Sequence, residues 1–338
     1  DKIKLFKIGD ENLDFILVSI VKSFMPIEYI EGYVSIDKFI KSKRNIPKAI
    51  YIGFGWSWNT FVSAWISHCI VNGSKCYGIQ HGGTYGEVIP LFGELLERKF
   101  VDKFYTWGWN EDSKTIAMPS LRLGNIKKNK PSKKGKDGIL WVSTLDSKYN
   151  YFIGEILFGS RFYEYFEHQF KIYNKLQRGI TKNIKIRLYP KDLKWDIVKR
   201  WEDNCENVKF ENSNRSLIDC FSSYNMIIFD HFGSTSLLEC LQLDIPFVII
   251  ASKKLFKFRV GALSYYKLLD DAGVLIDPDL EQMEFNNKFN EIYSNIDYWW
   301  NLDKTKRAVS IFRENFAMTK KNGLTKYWIP EFKNHLSN

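Results

Sequence analysis

Nine prolines and five cysteines in 338 residues leave little to build a stapled or proline-ruled fold. The cysteines (Cys69, Cys76, Cys205, Cys220, Cys240) are odd in number and lack C-x-x-C spacing. That excludes a disulfide framework or zinc site and predicts buried, reduced thiols in a cytosolic protein. No uncharged apolar stretch approaches the roughly 18 residues of a membrane-spanning helix. The longest apolar runs, such as Phe247–Ala251, have the length of buried strands. Asp1-Lys2-Ile3-Lys4 has neither an initiating Met nor a signal pattern, which suggests a piece excised from a longer protein. G-x-x-x-x-G-K-[S/T], G-x-G-x-x-G, G-x-S-x-G and H-E-x-x-H are all missing, and no D-x-D ends a predicted strand. P-loop, classical dinucleotide and serine-elbow chemistries are thereby disfavoured, and no metal site is indicated.

What is present is globular: 45% hydrophobic and 26% charged residues, with aromatics high at 16% and a net charge of +10. Disorder and fibrous repeats are excluded, and the length corresponds to about two domains at roughly 150 residues each. Residues 124–138 hold six Lys against one Asp, with Pro and Gly between them. Such a stretch repels itself and buries no face, so it reads as a linker. It separates a domain over residues 1–125, which the last segment 318–338 could complete, from one over 138–317. Apolar runs predict strands at Ala49–Gly53, Lys75–Gln80, Lys103–Trp107, Ile139–Ser143, Ile184–Leu188, Val208–Glu211, Met226–Asp230 and Pro246–Ala251. Amphipathic segments between them, Thr235–Leu243 among them, predict helices, and Phe285–Trp300 and Asp303–Phe316 predict a helical end. Apolar strands alternating with helices of 10–20 residues give parallel sheets covered on both faces. The fold class is therefore α/β, with two Rossmann-like domains whose parallel sheets face a cleft.

Ligands of open α/β sheets bind beyond the carboxyl ends of the strands, so the loops there hold the candidates. Gln80-His81-Gly82-Gly83-Thr84-Tyr85-Gly86 places three glycines in five residues, allowing close backbone approach, beside a histidine able to move a proton. The alternative is a tight turn. Asp230-His231-Phe232-Gly233-Ser234-Thr235-Ser236 sets hydroxyls where a helix begins, an arrangement suited to phosphate, with Glu239 one turn on. Taken alone, that is an ordinary N-cap. In Arg187-Leu188-Tyr189-Pro190-Lys191-Asp192, two cations at a strand end suit a carboxylate or diphosphate as well as they suit a solvated turn. Arg259 is a weaker candidate of the same kind, and Asp146 is a candidate carboxylate nucleophile or base. His68 reads as a core residue, His168 and His335 as surface ones.

In order and spacing, Gln80-His81-Gly82-Gly83-x-Tyr85-Gly86, Arg187-Leu188-Tyr189-Pro190-x-Asp192 and Asp230-x-x-x-Ser234-Thr235-Ser236-x-x-Glu239 with Pro246 resemble a known family. It is that of bacterial surface-carbohydrate transferases of GT-B type, related to the retaining β-Kdo glycosyltransferases of O-antigen and capsule assembly. The match runs from about residue 48 to residue 275. The resemblance implies metal-independent transfer of a Kdo-like ulosonic acid from a CMP-activated donor, a co-substrate and not a resident cofactor, to a glycan acceptor. In that picture Ser234, Thr235 and Ser236 hold the CMP phosphate and Glu239 the ribose. Arg187 and Lys191 meet the donor carboxylate, and His81, Gly82, Gly83 and Tyr85 face donor sugar and acceptor. Asp230 or Asp146 supplies the nucleophile that trapping an oxocarbenium-like state requires, and His81 or His231 deprotonates the acceptor.

Three other functions compete. A UDP-, GDP- or polyol-phosphate donor requires two phosphates to be neutralised. A nucleic-acid-binding protein would fit the basic charge, but no nucleic-acid-binding signature is present and the linker lysines supply about half of that charge. A non-catalytic carbohydrate-binding role is the third. The charge also suits peripheral contact between a cytoplasmic enzyme and an anionic bacterial inner membrane.

Overall fold

A computed structural model describes residues 11–43, 45–53, 55–89, 92–126, 138–149, 157, 159–211, 214–320 and 323–337. Most of the lysine-rich stretch, 127–137, lies outside the described residues, as does the start of a predicted helix at 150–156. The chain divides into two compact units, one ending at Tyr77 and including His335–Asn338, the other running from Gly78 to Asn334. The division thus falls within a predicted strand and not at the linker.

The first unit holds α1 (Glu11–Phe24), α2 (Tyr33–Lys41), β1 (Ala49–Ile52) and α3 (Thr60–Val71). Asn59 caps α3, its side chain accepting from the Val62 amide at 3.1 Å. The β2 strand (Lys75–Ile79) crosses the division. His335 is buried, stacked on Tyr77 at 3.8 Å between ring centroids and hydrogen-bonded to the Tyr51 hydroxyl at 2.7 Å, so it is no surface residue.

The second unit begins with β3 (Val88–Ile89), α4 (Phe92–Phe100), β4 (Lys103–Thr106) and β5 (Thr115–Ala117), the last two paired in parallel. There follow β6 (Ile139–Val142), α5 (Arg161–Lys175), α6 (Arg178–Thr181), β7 (Ile184–Arg187), α7 (Ile197–Asn204), α8 (Leu217–Phe221) and β8 (Met226–Phe229). Next come α9 (Thr235–Leu243), β9 (Phe247–Ile250), β10 (Lys257–Phe258), α10 (Val260–Asp271) and β11 (Leu275–Ile276). The end is helical: α11 (Gln282–Ser294), α12 (Ile296–Trp300), α13 (Asp303–Phe316) and α14 (Leu324–Ser337). Five strands form a parallel sheet in the order β11-β9-β8-β6-β7. Every residue of β6, β8 and β9 is buried, which is why these strands are apolar throughout and do not alternate. Helix α5 turns Phe162, Tyr165, Phe166, Gln169, Ile172 and Tyr173 inward at helical spacing. That stripe delivers two polar groups, Tyr165 and Gln169, to the interior.

Several expectations need correction. Val208–Glu211 is no strand but one bridge, Ile186 to Phe210. The helix expected over 285–300 breaks at Asn295, whose side chain caps α12 through the Tyr298 amide at 3.0 Å. A D-x-D, Asp277-Pro278-Asp279, does follow a strand, β11. Its carboxylates are occupied, Asp277 by the Asp279 amide and Asp279 by Lys171 and Lys254. The short pair β3–β10 runs antiparallel, Val88 opposite Phe258 and Ile89 opposite Lys257.

Candidate functional site

The strands β7 and β8 flank β6 on opposite sides, with Val142 in register with both Arg187 and Phe229. The chain leaves β6 to one side and then crosses to the other, opening a crevice at the carboxyl ends, the usual ligand position in such sheets. A cavity of about 1060 Å³ lies there, lined by Ser143, Arg187, Tyr189, Arg215, His231, Ser234 and Ser236 among others.

His231 and Asp230 are both buried at its base. Four donors converge on the Asp230 carboxylate: Trp141 Nε1, Tyr165 hydroxyl and Gln169 Nε2, each at 2.6 Å, and His231 Nδ1 at 2.8 Å. Since the carboxylate only accepts, Nδ1 must carry the proton, which makes Nε2 the acceptor on the cavity-lining imidazole. Four donors thus hold the Asp230 carboxylate, which in turn orients the His231 imidazole. Burial and its proximity to Asp230 push the Tyr165 hydroxyl well above its ordinary range, so it stays a donor.

The two glycine loops interlock. Gln80 fixes the first, its amide nitrogen donating to Gly82 O at 2.8 Å and its carbonyl accepting from Trp107 N at 2.8 Å and Trp109 Nε1 at 2.9 Å. Gly83 N donates to Thr235 Oγ1 at 2.9 Å. A Cβ on Gly83 would strike Gly233 O and lie 2.6 Å from Ser234 C and 2.7 Å from Thr235 N. Gly233, at φ +66°, in turn has Thr84 Cα where its own Cβ would be, 2.9 Å away. The glycines are thus required for contact between the loops. Ser234 caps α9, accepting from the Leu237 amide at 3.2 Å, with Ser236 Oγ 3.1 Å from its own hydroxyl.

Beside Thr235, Arg122 Nη2 pairs with Glu239 Oε1 at 2.9 Å. Burial raises the Glu239 pKa, partly offset by Arg122. Burial, helped by the Arg122 charge, lowers His81 to about 4, so its imidazole is neutral near pH 7. The Tyr85 hydroxyl lies 3.2 Å from His81 Nδ1 and donates to buried Glu97 at 2.9 Å. Tyr85 therefore positions His81 from within the core.

The remaining candidates separate. Arg187 lines the cavity, its guanidinium donating to Glu211 O at 3.3 Å and Arg215 O at 3.0 Å. Tyr189 lines it too, whereas Lys191 is exposed and outside the lining. Asp192 ties down a turn, accepting from the Ile197 and Asp196 amides at 2.8 and 3.0 Å. Burial raises its pKa, but these amides outweigh burial and the net direction is down. Asp146 lies four residues past the end of β6 and does not line the cavity. Its carboxylate accepts from Ser147 N at 2.7 Å, and burial raises its pKa. Arg259 is buried between Glu94, at 2.8 Å, and Glu111, at 2.6 Å, and thus holds α4 and not a substrate. Sequence reasoning missed Arg122, Trp141, Tyr165 and Gln169. The last two carried a signal, polar groups on the apolar stripe of α5.

Among curated proteins, no sequence matches the chain. Solved structures do resemble it. A protein described as a UDP-N-acetylglucosamine 2-epimerase from Listeria monocytogenes matches at TM-score 0.53 and 8% identity, over 89% of this chain and 77% of that one. S. aureus MnaA, solved with UDP, matches at 0.51 and 8% over 91% and 80%. The pneumococcal O-GlcNAc transferase GtfA, solved with UDP and GlcNAc, matches at 0.50 and 10% over 90% and 60%. Such likeness concerns the fold, which is α/β with two Rossmann-like domains of GT-B type, as the sequence predicts. The sequence profile described as LIC12162 family transferase matches residues 2–332.

Proposed function

The chain belongs to the LIC12162 family of transferases, and from that premise we propose that it transfers a glycosyl group from a nucleotide-activated donor to a glycan hydroxyl. The observation that carries this reading is the cavity at the β6 switch point, with the His231 imidazole oriented by Asp230 and the start of α9 on its wall. The nucleotide lies in that cavity, its phosphate near Ser234 and Ser236, and its ribose extends past the lining toward Glu239 on α9. His231 Nε2 takes the proton of the acceptor hydroxyl as the acceptor oxygen bonds to the anomeric carbon. The bond from that carbon to the phosphate oxygen breaks, and the electron pair leaves with the nucleotide. Helix amides at the start of α9 stabilise the departing charge. With Asp230 engaged by four donors and Asp146 off the cavity, this reading takes direct displacement by the acceptor oxygen, which predicts a product of inverted anomeric configuration.

The finer reading is a CMP-linked ulosonic acid as donor and a surface glycan as acceptor, supported by the motif order 80–86, 187–192 and 230–239. A UDP-sugar is the second reading, favoured by the UDP held in two of the similar folds. Peripheral contact with anionic membrane is supported by the net charge of +10 and is checked by vesicle sedimentation. Calorimetric titration with CMP, UDP and GDP tests the function. One of them binds, and Ser234→Ala with Thr235→Ala weakens it at least about tenfold. His231→Ala keeps binding but lowers transfer by about 10²–10⁴-fold. If wild-type protein binds none of the three, the proposal fails.

A further inference from the structure

Most arginines around the start of α9 are already committed. Arg259 and Arg98 share Glu94 and Glu111, and Arg187 is bonded to two carbonyls of its own wall. Arg122 differs. It follows β5 in a loop fixed by Ser120 N donating to Met318 O at 2.8 Å and by Leu123 N donating to Ser120 Oγ at 3.0 Å. Among the described residues it has one ion-pair partner, Glu239, contacted through Nη2 alone. Its side chain is 55% exposed, while that of Glu239 is 9% exposed. The guanidinium is thus half in solvent and reaches the buried carboxylate through a single contact. Glu239, by contrast, sits where burial disfavours its charge unless something offsets it. His81 is close enough to feel the same guanidinium, and Thr235 is joined to the His81 loop through Gly83. A cation, a carboxylate and a neutral imidazole are therefore linked to α9, through Glu239 on the helix and through the bond from Gly83 to Thr235.

We propose that Arg122 binds the phosphate of the donor nucleotide, exchanging its ion pair with Glu239 for the anion and leaving the carboxylate to accept from the ribose hydroxyls. This rests on the glycosyl-transfer reading and names a substrate-binding residue that no sequence motif marks. The planar fork of arginine suits two phosphate oxygens at once, which a point-charged lysine does not match. The exchange also accounts for placing a charged residue over Glu239: without ligand the arginine stabilises the buried carboxylate, and with ligand the ribose hydroxyls do.

The test is calorimetric titration of wild-type protein, Arg122→Ala and Arg122→Lys with CMP, UDP, cytidine and uridine. Arg122→Ala is expected to weaken the bound nucleotide by about tenfold or more while leaving its nucleoside unchanged. Arg122→Lys recovers part of the loss. In an NMR titration, removing the guanidinium raises the His81 midpoint, and a phosphate bound beside His81 in wild type raises it too. Equal weakening of nucleotide and nucleoside would mean a merely structural role and overturn the inference. So would unchanged nucleotide affinity in Arg122→Ala, with the glycosyl-transfer reading left standing. A wild-type protein that binds none of CMP, UDP and GDP removes that reading itself.

Discussion

Glu87, directly before β3, is fully buried, and its protonation couples stability to pH. Its Oε2 accepts from the Tyr266 hydroxyl at 2.5 Å, while its Oε1 is buried with no hydrogen-bond partner among the described residues. Burial raises its pKa from 4.5 to about 7, with Tyr266 and the Thr84 backbone opposing and nearby Glu94 reinforcing. Arg259, whose amide donates to Glu87 O at 2.9 Å, directs its guanidinium to Glu94 and Glu111 instead. An unfolded chain releases the Glu87 proton at about pH 4.5 and the folded protein at about 7. Between those values the native state holds more protons, so stability falls as pH rises through the window and levels off above it. At 1.36 kcal/mol per pH unit the accumulated penalty is about 3 kcal/mol above pH 7. Glu87→Gln keeps the shape and the acceptor for Tyr266 and removes the titration. Urea denaturation followed by tryptophan fluorescence at pH 5, 6, 7 and 8 should show the two proteins alike at pH 5. The variant should become more stable by about 2–3 kcal/mol at pH 8. A difference between them that does not change with pH would refute the reasoning.

Gly83→Ala forces a methyl group into the backbone of Gly233–Thr235. It should cost about 1–3 kcal/mol in denaturation experiments and weaken nucleotide binding along with stability. Asp230→Asn turns an amide NH₂ toward at least one of the four donors around that side chain. Thermal melting should reveal a loss of about 2–3 kcal/mol, and transfer activity should fall because an uncharged amide holds the His231 Nδ1 proton less firmly than a carboxylate.

Sequence made the central strands legible because β6, β8 and β9 are buried on both faces and must be apolar throughout. The boundaries of α9 and α13 were equally plain: Ser234 is a hydroxyl cap for α9, and the apolar positions of α13 recur at helical spacing. Two-residue strands such as β3, β10 and β11 carry no periodicity to find. In the site, the loops were visible through their glycines and hydroxyls, but the roles of single residues were not. Asp230 looked like a nucleophile because its partners come from β6 and α5, between 61 and 89 residues away in the chain. Arg259 looked like a substrate-binding cation because Glu94 and Glu111 are distant in sequence. Arg122 went unnoticed because its loop has no unusual composition. Electrostatic roles depend on who stands opposite, and that is a property of packing.

The five cysteines are all outside disulfides and all buried. A thiol-reactive dye added to the native protein therefore finds no target until the chain opens, which makes these side chains built-in reporters of local opening. Cys69 and Cys76 belong to the unit ending at Tyr77, and Cys205, Cys220 and Cys240 to the other. Labelling followed by peptide mapping would thus time the opening of each unit separately, without any engineered probe.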